Sequence, residues 1–314
     1  MDTVGSRETI LVTGASGQIG RMVSKILRDA GRKILPVVVG TQEEEDVSRC
    51  DLTSQREVSQ IFHTYPIGSV IHLAGILPTA FQSDPLGAAD VNLSGTLALM
   101  RKAAELNRIR FVVASSMSVY GTASTASPVT ENDPAIPDDE YGASKRAIEL
   151  IGENLRKLGV LQFVSLRIAR VVGPGIKKNS SSQWRSQIFE TRPEAPTSQQ
   201  DSSIRIPYPP EAVLSLVHVE DVARMLVTLL DAPVTRNVFY NSPVELWTAE
   251  KLKHVVEEFK HTSVTLDAST SQAGALCDGN RFVKEFGFQL CGLREHLAVK
   301  PNGAPAHDSG SQSH

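Results

Sequence analysis

The chain has 314 residues, 41% of them apolar, with a formal net charge of −3 at pH 7, enough for one large α/β unit with a smaller lobe or for two domains. Its 32 lysines and arginines are scattered, which argues against a nucleic-acid footprint and against a polybasic membrane patch. No apolar run approaches the roughly 20 residues that span a bilayer; the stretch MDTVGSRETI lacks a basic and apolar leader pattern; and Cys50, Cys277 and Cys291 fit neither a disulfide framework nor a paired-thiol metal clamp. A cytoplasmic protein with reduced thiols is therefore expected.

In chain order, the apolar run TILVT predicts a strand over residues 9–13, followed by TGASGQIG and a helix over 18–30. Gly14 permits a tight turn and Gly17 lets backbone approach a pyrophosphate, while Gly20 lies in the opening turn of a helix whose N–H groups are free for phosphate oxygens. Gly14, Gly17, Gln18, Ile19 and Gly20 are the expected phosphate-binding residues. A second strand covers 33–39. Pro36 sits awkwardly there, because a strand with two neighbours needs its N–H groups. About 20 residues beyond the glycines, where a carboxylate would meet a ribose, stand Val38, Val39 and Gly40, then Glu43, Glu44 and Glu45. That acidic run repels a 2′-phosphate, so NAD is the expected cofactor, with NADP left open.

Helix over 54–65, strand over 69–74, helix over 85–106 and strand over 110–116 continue an alternation that reads as a parallel sheet wrapped by helices. The last of these strands ends in Ser115 and Ser116, at the carboxyl edge where such sheets bind ligands. A helix over 141–158 begins with YGASK, so Tyr141 and Lys145, four apart, share one face. A phenol with a pKa near 10 serves as a base at neutral pH only if that value falls by about three pH units, roughly 4 kcal/mol, and a nearby ammonium together with a positive nicotinamide ring supplies that. Ser116 is placed to hydrogen-bond the same substrate oxygen.

A strand over 162–168 is followed by a Pro-, Ser- and Gln-rich stretch over 174–210, read as a lid or a mobile loop. Within it, Trp184 and Arg185 offer an apolar face and an anion partner; Arg185 or Arg170 is expected to hold a substrate carboxylate. A helix over 219–231, a strand over 237–241, a helix over 248–260 and a helical piece over 279–298 precede a tail with the composition of disorder.

The ordered landmarks TGASGQIG, CDLT, HLAG, VNLSGT, SSMSVYG, YGASK, LRIARVVGPG and LVHVEDVA resemble the extended short-chain dehydrogenases/reductases, the NAD-dependent epimerase/dehydratase family, from about residue 9 to 290. The resemblance implies an α/β chain: a Rossmann-type, doubly wound parallel sheet over 1–172, a small substrate-binding lobe over 173–299 with some segments returning to the sheet, and a disordered tail over 300–314. It implies Tyr141 as catalytic acid or base, Lys145 as its electrostatic partner and ribose ligand, and Ser116 as the hydroxyl that steadies the substrate, with Ser115 in support. It implies Asp51 and Leu52 at the adenine, Leu73, Ala74 and Gly75 beneath the cofactor, and Asn92 facing the site. His72 and His218 sit where the family has structural histidines, and neither has a third ligand at suitable spacing, so no metal is expected.

The expected activity is hydride transfer at a hydroxyl-bearing carbon of a small sugar-derived, polyol or sugar-acid substrate. A nucleotide-sugar epimerase that retains its NAD, and a non-catalytic dinucleotide sensor or scaffold, are the alternatives. The sequence departs from nucleotide-sugar enzymes at Val213–Leu216, where an arginine and an acid are absent, and from dehydratases at Met117 and Ser118. Family members pair through the helices here at 85–106 and 141–158, so a homodimer using Leu97, Met100, Ile148 and Ile151 is expected.

Overall fold

The computed structural model describes residues 9–40, 47–81, 83–106, 108–122, 127–176, 182–190, 203–267 and 274–298. The acidic run at 43–45, residues 177–181 and 191–202 of the stretch after Gly175, and the tail lie outside them.

Twelve strands are present among the described residues. β1 (Thr9–Thr13), β2 (Ile34–Val38), β3 (Ser48–Arg49), β4 (Ile67–His72), β5 (Arg110–Ser116) and β6 (Gln162–Ile168) come first. β7 (Arg170–Val172), β8 (Ile204–Ile206), β9 (Val213–His218), β10 (Phe239–Asn241), β11 (Glu245–Thr248) and β12 (Val264–Leu266) follow. One parallel sheet has the order β10-β6-β5-β4-β1-β2-β3. Its central strands are buried on both faces, which is why β1 reads as a continuous apolar run rather than an alternating one.

The helices in chain order are α1 (Gln18–Asp29), α2 (Gln55–Thr64), α3 (Pro78–Phe81), α4 (Pro85–Ala89), α5 (Gly95–Ala104), α6 (Glu140–Lys157), α7 (Trp184–Gln187), α8 (Val219–Asp231), α9 (Ala249–Lys260), α10 (Asn280–Phe286) and α11 (Leu293–Ala298). On one face of the sheet Val23 and Leu27 of α1 meet Leu226 and Leu229 of α8. On the other face Val58, Leu99, Met100 and Ile148 from α2, α5 and α6 pack against Leu11, Phe111 and Phe163. The lobe has its own core, where Trp184, Leu214, Leu252 and Val256 converge over the sheet β11-β9-β7 and the pair β12-β8. Although α8 and β10 follow the lobe's first strands, they rejoin the large sheet.

Four expectations change. Pro36 carries no ladder penalty: Lys33 and Val37 carbonyls face β1 through Ile10 and Ala15, so the Pro36 nitrogen turns the other way, where β3 pairs only with Val37 and Val38. The helix over 85–106 is three pieces, with a π-turn over Asp90–Ser94 between α4 and α5. Met100 and Ile148 are 1% exposed and belong to the core rather than to a dimer face, and Leu97 and Ile151 also lean on that core. The last helical stretch splits into α10 and α11 at Gly287, whose φ of 61° ends α10 in the left-handed region.

Candidate active site

Gly14 is left-handed (φ 67°), and a Cβ there would stand 2.7 Å from the Ala74 nitrogen and 2.8 Å from the Leu73 carbonyl carbon. A Cβ on Gly20 would fall 2.1 Å from the Gly14 oxygen. Both positions demand glycine, and the turn therefore seats β1, α1 and the 73–75 segment against one another. Gly17 caps α1 without a side-chain bond, which leaves the N–H groups of Gln18, Ile19 and Gly20 directed at a potential anion. The Gln18 side chain goes elsewhere, donating to the carbonyls of Gly173 (2.7 Å) and Pro174 (3.1 Å).

At the far end of the cleft, Asp51 Oδ1 accepts from the Thr53 hydroxyl (2.7 Å) and N–H (2.9 Å). These bonds hold its carboxyl below the usual range. Leu52 is 7% exposed and lies under Gly95. Thr13 Oγ1 accepts the Leu73 and Ala74 N–H groups (3.3 and 3.2 Å), fixing the turn after β4. Gly75 completes it: a Cβ there would meet Asn92 Oδ1 at 3.1 Å and Lys145 Nζ at 3.4 Å.

His72 anchors this turn from inside. Thr96 spends its proton on the Asn92 carbonyl (2.6 Å), so His72 Nε2 donates to Thr96 (2.8 Å) and Nδ1 accepts from Thr13 (2.7 Å). Burial, and then the charge of Lys145, push this imidazole down to about 3 from an ordinary value of 6.5. A depressed histidine contributes stability that is complete above about pH 6.5 and is lost as pH falls toward 3. The protein is expected to lose several kcal/mol of stability over that window by denaturant titration. In His72→Asn the loss between pH 6.5 and 4 should shrink by about 2–3 kcal/mol; an unchanged pH dependence would assign the acid sensitivity to other groups.

Ser116 ends β5, and Tyr141 and Lys145 open α6, whose N-cap Asp139 accepts the Gly142 N–H. The Ser116 hydroxyl engages the Tyr141 phenol and also meets Ser118 Oγ at 3.1 Å. Lys145 Nζ lies 5.7 Å from the Tyr141 ring centroid and donates to the Ala114 carbonyl at 2.9 Å. Both side chains are buried, at 9% and 6% exposure. The lowered phenol anticipated from Lys145 is not what burial gives: desolvation is the larger effect and pushes Tyr141 up to about 12 despite the Ser116 bond. Desolvation likewise brings Lys145 down to about 8. Ser115 is buried, and its hydroxyl has no hydrogen-bond partner.

The π-turn brings Asn92 to the same place. Its amide accepts from Ile76 N (2.7 Å), donates to Ile76 O (3.1 Å) and reaches Ser144 Oγ (3.4 Å), which donates to the Tyr141 carbonyl (2.7 Å). Such single π-turns recur where a helix must aim one side chain at a site. Glu149, one turn beyond Lys145, went unrecognised from sequence. It is fully buried, makes a two-bond pair with Arg167 (2.8 and 2.9 Å) and favours the charged form of Lys145. Its spacing of four from Lys145 was the available signal.

On the lobe side, Arg170 follows the strand position that pairs with Ser116 by two residues and stacks over Tyr208 at 5.0 Å. Burial, then the like charge of Arg170, lower Arg185 to about 10. Trp184 is 4% exposed and meets the Tyr208 edge inside the lobe core, so it offers no substrate face. The apolar wall beside Tyr141 comes instead from Phe81, 6.0 Å away edge-on.

A glycine turn at the carboxyl edge of an all-parallel sheet, facing a buried Ser–Tyr–Lys group, defines a dinucleotide-binding protein of the Rossmann type. The family model for the NAD dependent epimerase/dehydratase family matches residues 10–241, and the chain belongs to that family. A UDP-glucose 4-epimerase of Lacticaseibacillus casei is 30% identical over 174 residues, 52% of each chain, so the chain spans about half the length of such curated relatives. A UDP-glucose 4-epimerase of Thermus thermophilus in complex with NAD superposes with a TM-score of 0.76 at 22% identity, covering 92% of this chain and 96% of that one. The L-threonine 3-dehydrogenase of Trypanosoma brucei gives 0.80 at 19% identity, covering 92% and 94%. At these identities the two structures share the fold.

Proposed function

We propose that the chain transfers hydride between a nicotinamide dinucleotide, NAD, and a hydroxyl-bearing carbon of a sugar-derived, polyol or sugar-acid substrate. The observation that carries this is the convergence of Ser116, Tyr141 and Lys145 in one buried edge beside the glycine turn. The residues fit the dinucleotide: Gly14, Gly17 and Gly20 form a cradle that a Cβ would fill, the opening N–H groups of α1 receive phosphate, and Asp51 keeps Oδ2 for the adenosine end. The dinucleotide, when bound, supplies the hydride acceptor or donor. Tyr141 Oη gives or takes the hydroxyl proton, Ser116 fixes the oxygen to which it moves, and Lys145 stabilises the phenolate form.

Arg185, desolvated and under the like charge of Arg170, supports a substrate that carries an anionic group. Leu214 and Leu216 of β9 are 0% and 1% exposed, which weighs against a nucleotide-diphosphate grip at this segment. The test is a screen of sugars, sugar acids, polyols and nucleotide sugars with NAD and NADP, following reduced-cofactor absorbance and substrate inversion together. Accumulation of reduced NAD is the expected result. Inversion without accumulation would assign the epimerase reading, and neither signal with any substrate would sink the proposal. In Arg185→Ala, KM for an acid substrate should rise roughly 10- to 100-fold with kcat nearly held. A KM that does not move removes Arg185 from substrate binding.

A further inference from the structure

One turn past Lys145 on α6 stands Glu149, a buried carboxylate to which hydride transfer itself gives no task. Successive turns of the helix lay the two side chains over adjacent strands. Lys145 Nζ donates to the Ala114 carbonyl of β5 at 2.9 Å, while Glu149 accepts from Arg167 of β6 through Nε (2.9 Å) and Nη2 (2.8 Å). Ala114 and Ser115 pair with Leu166 and Arg167 in the ladder, so the two anchoring points are neighbours on the sheet. All three charged groups are shut off from water, with Lys145 at 6% exposure, Arg167 at 2% and Glu149 at 0%.

Buried charges persist only where they are matched, and here the signs are uneven. The groups set around Lys145 are cationic or neutral apart from Glu149. Arg167 comes from β6, Arg146 reaches Glu149 at 3.1 Å from α6 itself, His72 of β4 is held neutral, and the Tyr141 phenol and the Asn92 amide carry no charge. The other nearby acids are engaged elsewhere: Asp139 caps α6 at the Gly142 N–H, and Glu131 faces Arg281 (3.3 Å) and the Asn241 N–H (2.7 Å). Asp221, also buried, lies on α8 across the sheet.

Two charges one helical turn apart, about 6 Å, in a medium of effective dielectric constant about 20, move each other's titration by about one to two pH units. Arg167 keeps the carboxylate in place, and is itself fixed by donating to the Tyr120 phenol (2.7 Å), which donates to Asn241 of β10 (2.8 Å). We propose that Glu149 is a positioning residue of the active site, holding the Lys145 ammonium in its charged form so that it can serve Tyr141, and that Arg167 acts one step further back by keeping Glu149 ionised and aimed. The catalytic consequence rests on the hydride-transfer reading; the coupling of the two charges does not. Desolvation draws the ammonium down and Glu149 opposes it, so without Glu149 the lysine turns neutral, and stops stabilising the phenolate, at a lower pH.

The experiment follows Lys145 itself, by NMR titration of the full chain carrying 13C at the lysine Cε, with the Lys145 signal identified by its loss in Lys145→Met. A midpoint of about 8 is expected in the unaltered chain, and one lower by about one pH unit in Glu149→Gln. A midpoint that moves by less than about 0.3 would overturn the role of Glu149. Should Glu149→Gln not fold, because Arg167 is left buried and unmatched, the double variant Glu149→Gln, Arg167→Met removes both charges and carries the same test, with a fall of at least about half a pH unit expected. In turnover, the pH above which kcat declines should fall by the same interval in the variant. A loss of kcat equal at every pH would mark Glu149 as structural only and overturn the proposal. If no chain turns over any substrate, the hydride-transfer reading fails, and the titration of Lys145 still decides the coupling.

Discussion

Replacing Tyr141 with phenylalanine is expected to lower turnover by about 10²- to 10⁴-fold, the usual worth of a positioned proton donor or acceptor, while dinucleotide binding measured by fluorescence titration stays near that of the unaltered chain. The ring is held by packing that phenylalanine reproduces: Phe81 meets it edge-on at 6.0 Å, and Ala88 completes the patch. Only the hydroxyl is lost, and Ser116 retains Ser118 as a partner at 3.1 Å. The expected signature is thus a fall in kcat with unchanged folding. A variant that keeps more than about a tenth of its activity would show that proton transfer is handled by another group. A chain that binds dinucleotide and shows no turnover with or without the hydroxyl would point to a sensor rather than an enzyme.

Replacing Lys145 with methionine is expected to abolish activity and yet stabilise the fold. The ammonium is buried at 6% exposure, and desolvation brings it from 10.5 to about 8. A depressed lysine has its full stability only above pH 10.5 and loses it as pH falls to 8. At neutral pH the charged side chain therefore costs about 3 kcal/mol. Methionine removes that cost and forfeits the bond to the Ala114 carbonyl (2.9 Å), worth about 1–2 kcal/mol. Glu149 is left matched by Arg167 and Arg146. The net gain of about 1–2 kcal/mol should appear as a melting temperature higher by about 2–5 °C at pH 7, and the difference should vanish or reverse above about pH 10. A lower melting temperature at pH 7 would mean that the ammonium is better solvated than its burial indicates.

The features read from sequence are those fixed by a few adjacent residues. The glycine turn was legible because the strand before it, the helix after it and the glycines themselves lie within one short stretch, and the constraint on Gly14 and Gly20 is steric. The parallel sheet was legible because doubly buried strands read as unbroken apolar runs. What escaped was set at long range. Nothing local in Asp90–Ser94 announces a π-turn, which is held by the bonds of Asn92 to Ile76. The lobe strands β7, β8 and β12 have three residues each, too few for a period to show. Trp184 was read from its loop-like surroundings, whereas the lobe core that buries it comes from residues up to about a hundred positions away. The imidazole that stacks on His218 comes from His296, 78 positions on, a distance that no spacing rule spans.

Three hydrogen bonds cross from the opening turns of α1 to the start of the lobe: Gln18 to Gly173 and Pro174, and Arg21 to Gly175. The opening end of that helix is thereby latched to the backbone that leads into the lobe. Swinging the lobe away must first unzip this latch, and whatever tightens the turn around a phosphate also braces the path into the Arg170–Arg185 side of the cleft.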